Sequence, residues 1–340
     1  MVRVKVRVKV RVMVKVMGRV MVKVRVSMIW SASKQKAYCR CCRYFYHHYI
    51  QGYRVISKPK WLNYGTHIDD LLGLYDTQGF EAMMEQIPLK FTDEYDQIDI
   101  KYLLTHYHNK FKDKPLSPVE IEGKPGNQFH FELPLNPPHI VDCDIRYQGY
   151  LDKVTEHKDW VTVVERKTTK DTIEYRSAYW DGLDTDKQNV GYSWGLGSTI
   201  EGTVNRVIYE VLRKPNPSSK GMSAFKKTKT VKKKAVKIEL PEYEERVKEF
   251  FETTKITMVA RHNLWIPQQN RDEWIHDLVA DDDSVKNMKL NQRTYESQGI
   301  DGRYAWPRNQ GACKDFGGCQ FCPVCQGKTE IESLDTVYKK

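Results

Sequence analysis

Four short runs, "QFHFEL" (128–133), "IRYQGYLDKV" (145–154), "WVTVVERK" (160–167) and "VNRVIYEVLRK" (204–214), are rich in Val, Ile, Tyr and Phe, the composition of strands. Between the last two lies the helical-looking "DTDKQNVGYSWGLGST" (184–199). Helical segments precede them. Ser33 is a plausible N-cap for a helix reaching about Gln51, with an aromatic face of Tyr38, Phe45, Tyr46 and Tyr49. From His67 to Tyr75, at the start of a second helix, Ile68, Leu71, Leu72 and Tyr75 share one stripe, and a third helix is expected around Ile98 to Phe111. A Pro- and Gly-bearing connection at 115–126 leads into the strands, and an amphipathic pattern from Pro241 is expected to run to about Trp265. Helices, then strands, a helix and a strand make a mixed α/β domain.

The charge of this 340-residue chain, +11, is local. Residues 1–27 alternate Val or Met with Arg or Lys and hold nine basic residues and no acid, which leaves +2 for the rest. This low-complexity leader has no continuous apolar stretch and so does not read as a signal peptide. It competes as a nucleic-acid or membrane arm, an aggregation-prone β segment, or an upstream extension. The last is favoured, because Met28 directly precedes the first stretch of ordinary complexity, and a start at Met28 is expected to keep all activity. Residues 220–237 hold eight Lys and no acid, which marks an exposed loop or partly disordered arm and leaves −6 on the remaining body. No apolar run approaches the roughly 18–20 residues that cross a bilayer, so a membrane partner is not expected. Residues 28–340 read as one domain.

The chemistry concentrates at "GYLDKV" and "VVERKTT". If these strands form a hairpin, Asp152 and Glu165 meet, and on a period of two Glu165 and Lys167 share a face with Arg166 opposite. Two carboxylates suit a hard divalent cation, and the lysine can orient or help deprotonate water or stabilise charge developing on phosphorus. An E-x-K alone is more often a solvated hairpin. Three features raise the odds. His67 follows Gly65 and Thr66 at a helix start, Gln188 and Tyr192 stand at i and i+4 of a helix, and cysteines bracket the assembly.

In this order and spacing the chain resembles the PD-(D/E)XK nuclease superfamily, specifically the RecB/AddB-like branch with an iron–sulfur cluster, seen also in CRISPR-associated and phage exonucleases. The resemblance covers essentially Met28 to Cys325 and implies a restriction-endonuclease-like α/β core: a central mixed sheet flanked by helices, with the cluster joining the N- and C-terminal parts. It implies that His67, Asp152, Glu165 and the Arg166 carbonyl hold Mg²⁺ or Mn²⁺, that Lys167 is the catalytic lysine, and that Gln188 and Tyr192 contact the nucleic-acid strand or support Lys167. Asp69, Asp70 and Glu120 stand as outer ligands or, more often for such residues, as surface acids.

Of eight cysteines, Cys39, Cys41 and Cys42 lie near the start, Cys143 is alone and reads as a buried core thiol, and Cys313, Cys319, Cys322 and Cys325 lie near the end. With no signal peptide, a cytoplasmic, reducing compartment is expected, and clustered Cys then means metal before disulfide. The first-helix pattern of the resembled family, S-x-S followed by Tyr, Cys-Pro and Phe-Tyr, is matched by Ser31, Ser33, Tyr38, Cys41, Phe45 and Tyr46, although Cys42 replaces Pro. The resemblance thus implies a [4Fe–4S] cluster on Cys41, Cys313, Cys319 and Cys325. Cys322 in place of Cys41 is a rival set, and four thiolates hold Zn²⁺ equally well.

The expected activity is a metal-dependent DNA exonuclease working on single strands or ends in recombination, repair or phage replication, with a recombination or replication protein as an eventual partner. The lysine segment would steer a polyanion to the site, and Trp180, Tyr192 and Trp194 offer faces for unpaired bases, though each taken singly suits a core position better. Alternatives are a structure-specific endonuclease and a non-catalytic nucleic-acid-binding subunit of a helicase–nuclease complex. The chain has no Walker-type phosphate loop of its own.

Overall fold

The computed structural model describes residues 28–55, 60–135, 144–157, 160–231, 234–334 and 337–339. The basic leader and Cys143 lie outside the described residues.

Six strands form the central sheet: β1 (Ile29–Trp30), β2 (Asn127–Pro134), β3 (Arg146–His157), β4 (Trp160–Thr169), β5 (Arg206–Arg213) and β6 (Val259–Trp265). Antiparallel β2 runs along one side of β3. The other side of β3 takes parallel β1 at Arg146–Tyr147 and then antiparallel β4 from Lys153–Val164 to His157–Trp160. β4 and β5 are parallel, and β6 closes the order antiparallel to β5. A parallel pair needs a crossover, and helix α4 (Lys187–Thr199) supplies it. The sheet is therefore mixed, with helices on both faces.

Strand alternation sorts the faces. On β5, Val207, Tyr209 and Val211 enter the core shared with Val190, Tyr192 and Leu196 of α4 and with Trp274 and Leu278 of the long helix α6 (Gln268–Ser297). Leu212, on the opposite parity, enters a second core built by α2 (Lys60–Gln78), α3 (Glu94–Phe111) and α5 (Leu240–Thr253). On β4 the same period sends Glu165 and Lys167 one way and Arg166 the other.

Several elements depart from the sequence reading. The N-cap of α1 (Ala32–Arg40) is Ser31, two residues before the expected Ser33, and its hydroxyl accepts from the Lys34 N–H at 3.4 Å. Extended backbone at Cys41 (φ −166°, ψ 114°) ends that helix, and a short turn of helix (Cys42–Phe45) and a π-helical turn (Tyr46–Ile50) follow. His67 sits in the middle of α2, not at a helix start. The amphipathic pattern after Pro241 divides into α5 and strand β6. The lysine-rich segment contains an antiparallel hairpin, Thr228–Val231 with Lys234–Lys237, anchored by the buried side chains of Met222 and Phe225. Lys227 pairs with Asp93 and Asp96, and Lys229 with Glu242, so part of its charge is neutralised locally. Among the described residues no helix is long and apolar enough to cross a membrane.

Candidate active site

The β3–β4 ladder runs to Lys153 opposite Val164, and one step further the Asp152 carboxylate accepts the Arg166 backbone N–H at 2.7 Å. A side chain has taken up a main-chain donor at the point where the strands part. Asp152 and Glu165 are thereby brought close enough for the charge of one to disfavour ionisation of the other.

Glu165 is fully buried. Its Oε1 accepts from the Lys167 ammonium and, at 2.6 Å, from the Gln188 side-chain amide. Asp186 caps α4 by accepting from the Gln188 N–H at 2.8 Å, which fixes where that amide points. Tyr192, one turn on along the same helix, stacks edge-on against Phe131. Glu165 Oε2 is buried with no partner among the described residues. Burial favours the neutral amine at Lys167, yet the charges of Glu165 and then Asp152 outweigh it and hold the side chain as an ammonium.

Arg166 anchors this strand from the opposite face. Its guanidinium donates to Asp76 at 2.6 Å and Glu210 at 3.2 Å, while Lys153 bonds Asp76 at 2.9 Å and Arg261 and Tyr107 bond Glu210. Asp76 belongs to α2, so the network ties that helix to β3, β4 and β5 beneath the Glu165 position.

The helix-borne acid facing this centre is Asp69. A cleft of about 680 Å³ is lined by Tyr64, Thr66 and Asp69 of α2, by Asp152, and by residues 166–171 at the end of β4. His67 is not among its lining residues; its ring meets Phe91 edge-on at 5.5 Å, and its buried Nδ1 has no partner among the described residues. Asp69 Oδ2 accepts from Gln128 at 3.0 Å, and its buried Oδ1 is unpartnered among the described residues. Burial, and then the Asp152 charge, push the Asp69 carboxyl up to about 6. Burial followed by Glu165 likewise raises Asp152, and burial raises Glu165. Three carboxylates thus resist ionising beside one another, a resistance that a divalent cation removes. Asp70 points elsewhere, pairing with Lys90 at 2.5 Å, and Glu120 is exposed on a short strand away from the cleft.

The sequence reading had Asp69 only as an outer ligand or surface acid, and the structure turns it into the cleft. It missed Tyr209, which stands opposite Glu165 in the β4–β5 register. Of the aromatics proposed for base stacking, Tyr192 and Trp194 pack in or against the core, and Trp180 lies half-buried on His262.

At the C-terminal end of α1, the kink at Cys41 turns its sulfur to the Asn309 N–H at 3.4 Å, and the Arg43 N–H donates to the Pro307 carbonyl. Burial raises the Cys319 thiol to about 11, and Cys325, Cys313 and Cys41 add to that rise. Burial and then Cys322 raise the Cys313 thiol. Cys39 instead lies exposed beside Lys187, at 3.5 Å. Among the described residues no three His, Cys, Asp or Glu side chains form a ready-made metal cage at either place.

A mixed sheet with an acid pair and a lysine at the parting of two antiparallel strands, covered by a crossover helix, is the framework of a metal-dependent nuclease. The family model of the PD-(D/E)XK nuclease superfamily matches residues 29–326, and the chain belongs to that superfamily. Membership implies phosphodiester hydrolysis on nucleic acid, and nucleases of this superfamily typically use Mg²⁺ or Mn²⁺. None of the curated proteins matches the chain significantly.

Proposed function

We propose that the protein is a metal-dependent deoxyribonuclease that degrades DNA from ends, acting on single strands or duplex termini in recombination, repair or phage replication. The observation that carries the metal-dependent reading is the group of carboxylates with spare buried oxygens, Glu165 Oε2 and Asp69 Oδ1, beside Asp152 and the Lys167 ammonium. The resemblance of the sequence motifs and cysteine pattern to cluster-bearing exonucleases supports attack at ends.

Asp69, Asp152, Glu165 and the Arg166 carbonyl would hold Mg²⁺ or Mn²⁺; His67 is left out of this set because its ring turns to Phe91. When bound, such an ion supplies positive charge that offsets the phosphodiester and acidifies the attacking water. Lys167 keeps a second positive charge where negative charge grows on phosphorus. Gln188 fixes the Glu165 carboxylate so that one oxygen stays free, and Tyr192 steadies Gln188. The half-buried cysteines Cys41, Cys313, Cys319 and Cys325 suit a [4Fe–4S] cluster that ties α1 to the C-terminal segment, with Cys322 as the alternative fourth ligand to Cys41 and Zn²⁺ as the competing occupant.

The test is digestion of end-labelled linear single- and double-stranded DNA, with circular single strands alongside, in Mg²⁺ or Mn²⁺. Wild type should degrade linear DNA, with Glu165→Ala and Lys167→Ala slower by on the order of a hundredfold or more. Equal degradation by all three refutes the site, and cutting of circles shows an endonuclease.

A further inference from the structure

Beyond the carboxylates, the cleft changes character. Its far wall is made by Thr168, Thr169 and Lys170 at the end of β4, Leu212 and Lys214 at the end of β5, and Tyr64 of α2. The parallel register sets Thr169 opposite Arg213, and the Lys214 N–H donates to the Thr169 carbonyl at 2.6 Å, so the two strand ends and their lysines are held side by side. Neither Lys170 nor Lys214 has a carboxylate ion-pair partner among the described residues. The Lys214 ammonium lies 3.9 Å above the Tyr64 ring, and burial followed by the Lys170 charge lowers its pKa against the opposing pull of Asp96 and Asp99. The Tyr64 hydroxyl is buried and unpartnered among the described residues, on a residue only 8% exposed. The one acid at this end of the cleft, Asp171, is already engaged by the Thr169 hydroxyl at 3.0 Å.

Two neighbouring cations that make no carboxylate ion pair in a concave wall are a cost to the folded chain that an anion lying between them relieves. Lys167 and Lys170 both line the cleft three positions apart, about 10 Å along the chain at a strand's rise, which is within a nucleotide or two of backbone. We infer that Lys170 and Lys214, with Tyr64 behind them, form a second phosphate subsite that grips the nucleic-acid backbone beside the scissile linkage. This rests on the nuclease reading above. The subsite reads charge and not base, so it serves any sequence. It also gives the strand a direction, from the carboxylates toward the β4–β5 ends.

The experiment compares wild type, Lys170→Gln/Lys214→Gln and Lys170→Arg/Lys214→Arg. It measures oligonucleotide cleavage in Mn²⁺ and, separately, fluorescence-anisotropy binding of a labelled single strand, each protein also carrying Glu165→Ala for binding. The Gln pair should weaken binding about tenfold or more and flatten the log–log salt slope by roughly 1.4, at about 0.7 per single-strand phosphate contact, with the cleavage loss carried by KM; the Arg pair should restore both. Unchanged affinity and salt slope in the Gln pair overturn the subsite. A wild type that binds with the expected lysine dependence yet cleaves nothing overturns the nuclease reading instead.

Discussion

The Gln188 amide and the Glu165 carboxylate are joined at 2.6 Å across the gap between the crossover helix and the sheet. That bond, with the Lys167 ammonium on the same oxygen, leaves Glu165 one oxygen to offer and orients it. Gln188→Ala should therefore lower activity by about 10–100-fold, the range for groups that orient a ligand. The loss should appear as a higher metal concentration for half-maximal rate. A metal requirement unchanged from wild type would remove Gln188 from this role.

Asp69 and His67 stand two residues apart on α2 but face different surroundings, the cleft and Phe91. Asp69→Asn should cost on the order of a hundredfold in kcat/KM, as expected for a lost metal ligand, and weaken Mn²⁺ binding measured by calorimetry. His67→Gln should change both by only a few-fold. The reverse ranking would restore His67 as the ligand and displace Asp69.

Gly195 lets α4 lie against β2: a Cβ there would meet the Phe131 ring at 2.1 Å. Gly195→Ala must push the helix off the sheet, at about 1–3 kcal/mol for overpacking. The same helix carries Gln188 and Tyr192, so activity measured well below the melting temperature should also fall. Stability lost with activity intact would show that the ring, and not the helix, gives way.

Asp99, buried in the α3 core, is pushed up to about 7, first by burial and further by Asp96 and Asp93, against the Tyr243 hydroxyl at 2.8 Å and the Lys227 charge. The folded state therefore holds a proton that the unfolded chain releases near pH 4. Its contribution is present below pH 4 and is lost as pH rises from about 4 to 7. Asp99→Asn keeps an acceptor for Tyr243 and carries no charge. Urea unfolding should show the variant gaining on wild type by a few kcal/mol between pH 4.5 and 8, at about 1.4 kcal/mol for each pH unit that parts the folded titration from the unfolded one. A constant difference across that range would contradict the buried proton.

Cys41→Ser should lower bound iron or zinc, measured on anaerobically purified protein with its visible absorbance, and lower the melting temperature. Cys39→Ser, at the exposed position beside Lys187, should leave metal content alone. If Cys322→Ser strips the metal and Cys41→Ser does not, the ligand set lies wholly within the C-terminal segment.

Much of this was readable from local periodicity. Glu165 and Lys167 share a face because a strand repeats every two residues, and Gln188 and Tyr192 meet because a helix returns at the fourth. Which helix-borne side chain faces the cleft was not readable, because it depends on helical phase. The helix begins at Lys60, and two residues turn the chain by about 200°, enough to bring Asp69 to the cleft and His67 to Phe91. Nor did the stretch between Thr253 and Val259 announce the change from α5 to β6, since it holds no Gly or Pro; pairing with β5 decides it. The Asp76–Arg166–Glu210 network is invisible in sequence, because its members come from three elements that only the finished sheet assembles.

Near the N-terminus, Trp30 donates to Asp282 at 2.7 Å, Arg43 to the Trp306 carbonyl at 2.7 Å, and Gln35 to Asp281 at 3.0 Å. These partners are synthesised some 250 residues later, and contacts so distant in sequence form slowly. The aromatic face that follows α1 is therefore covered only once α6 and the Trp306 segment are in place, so the two ends of the described fold are seated together.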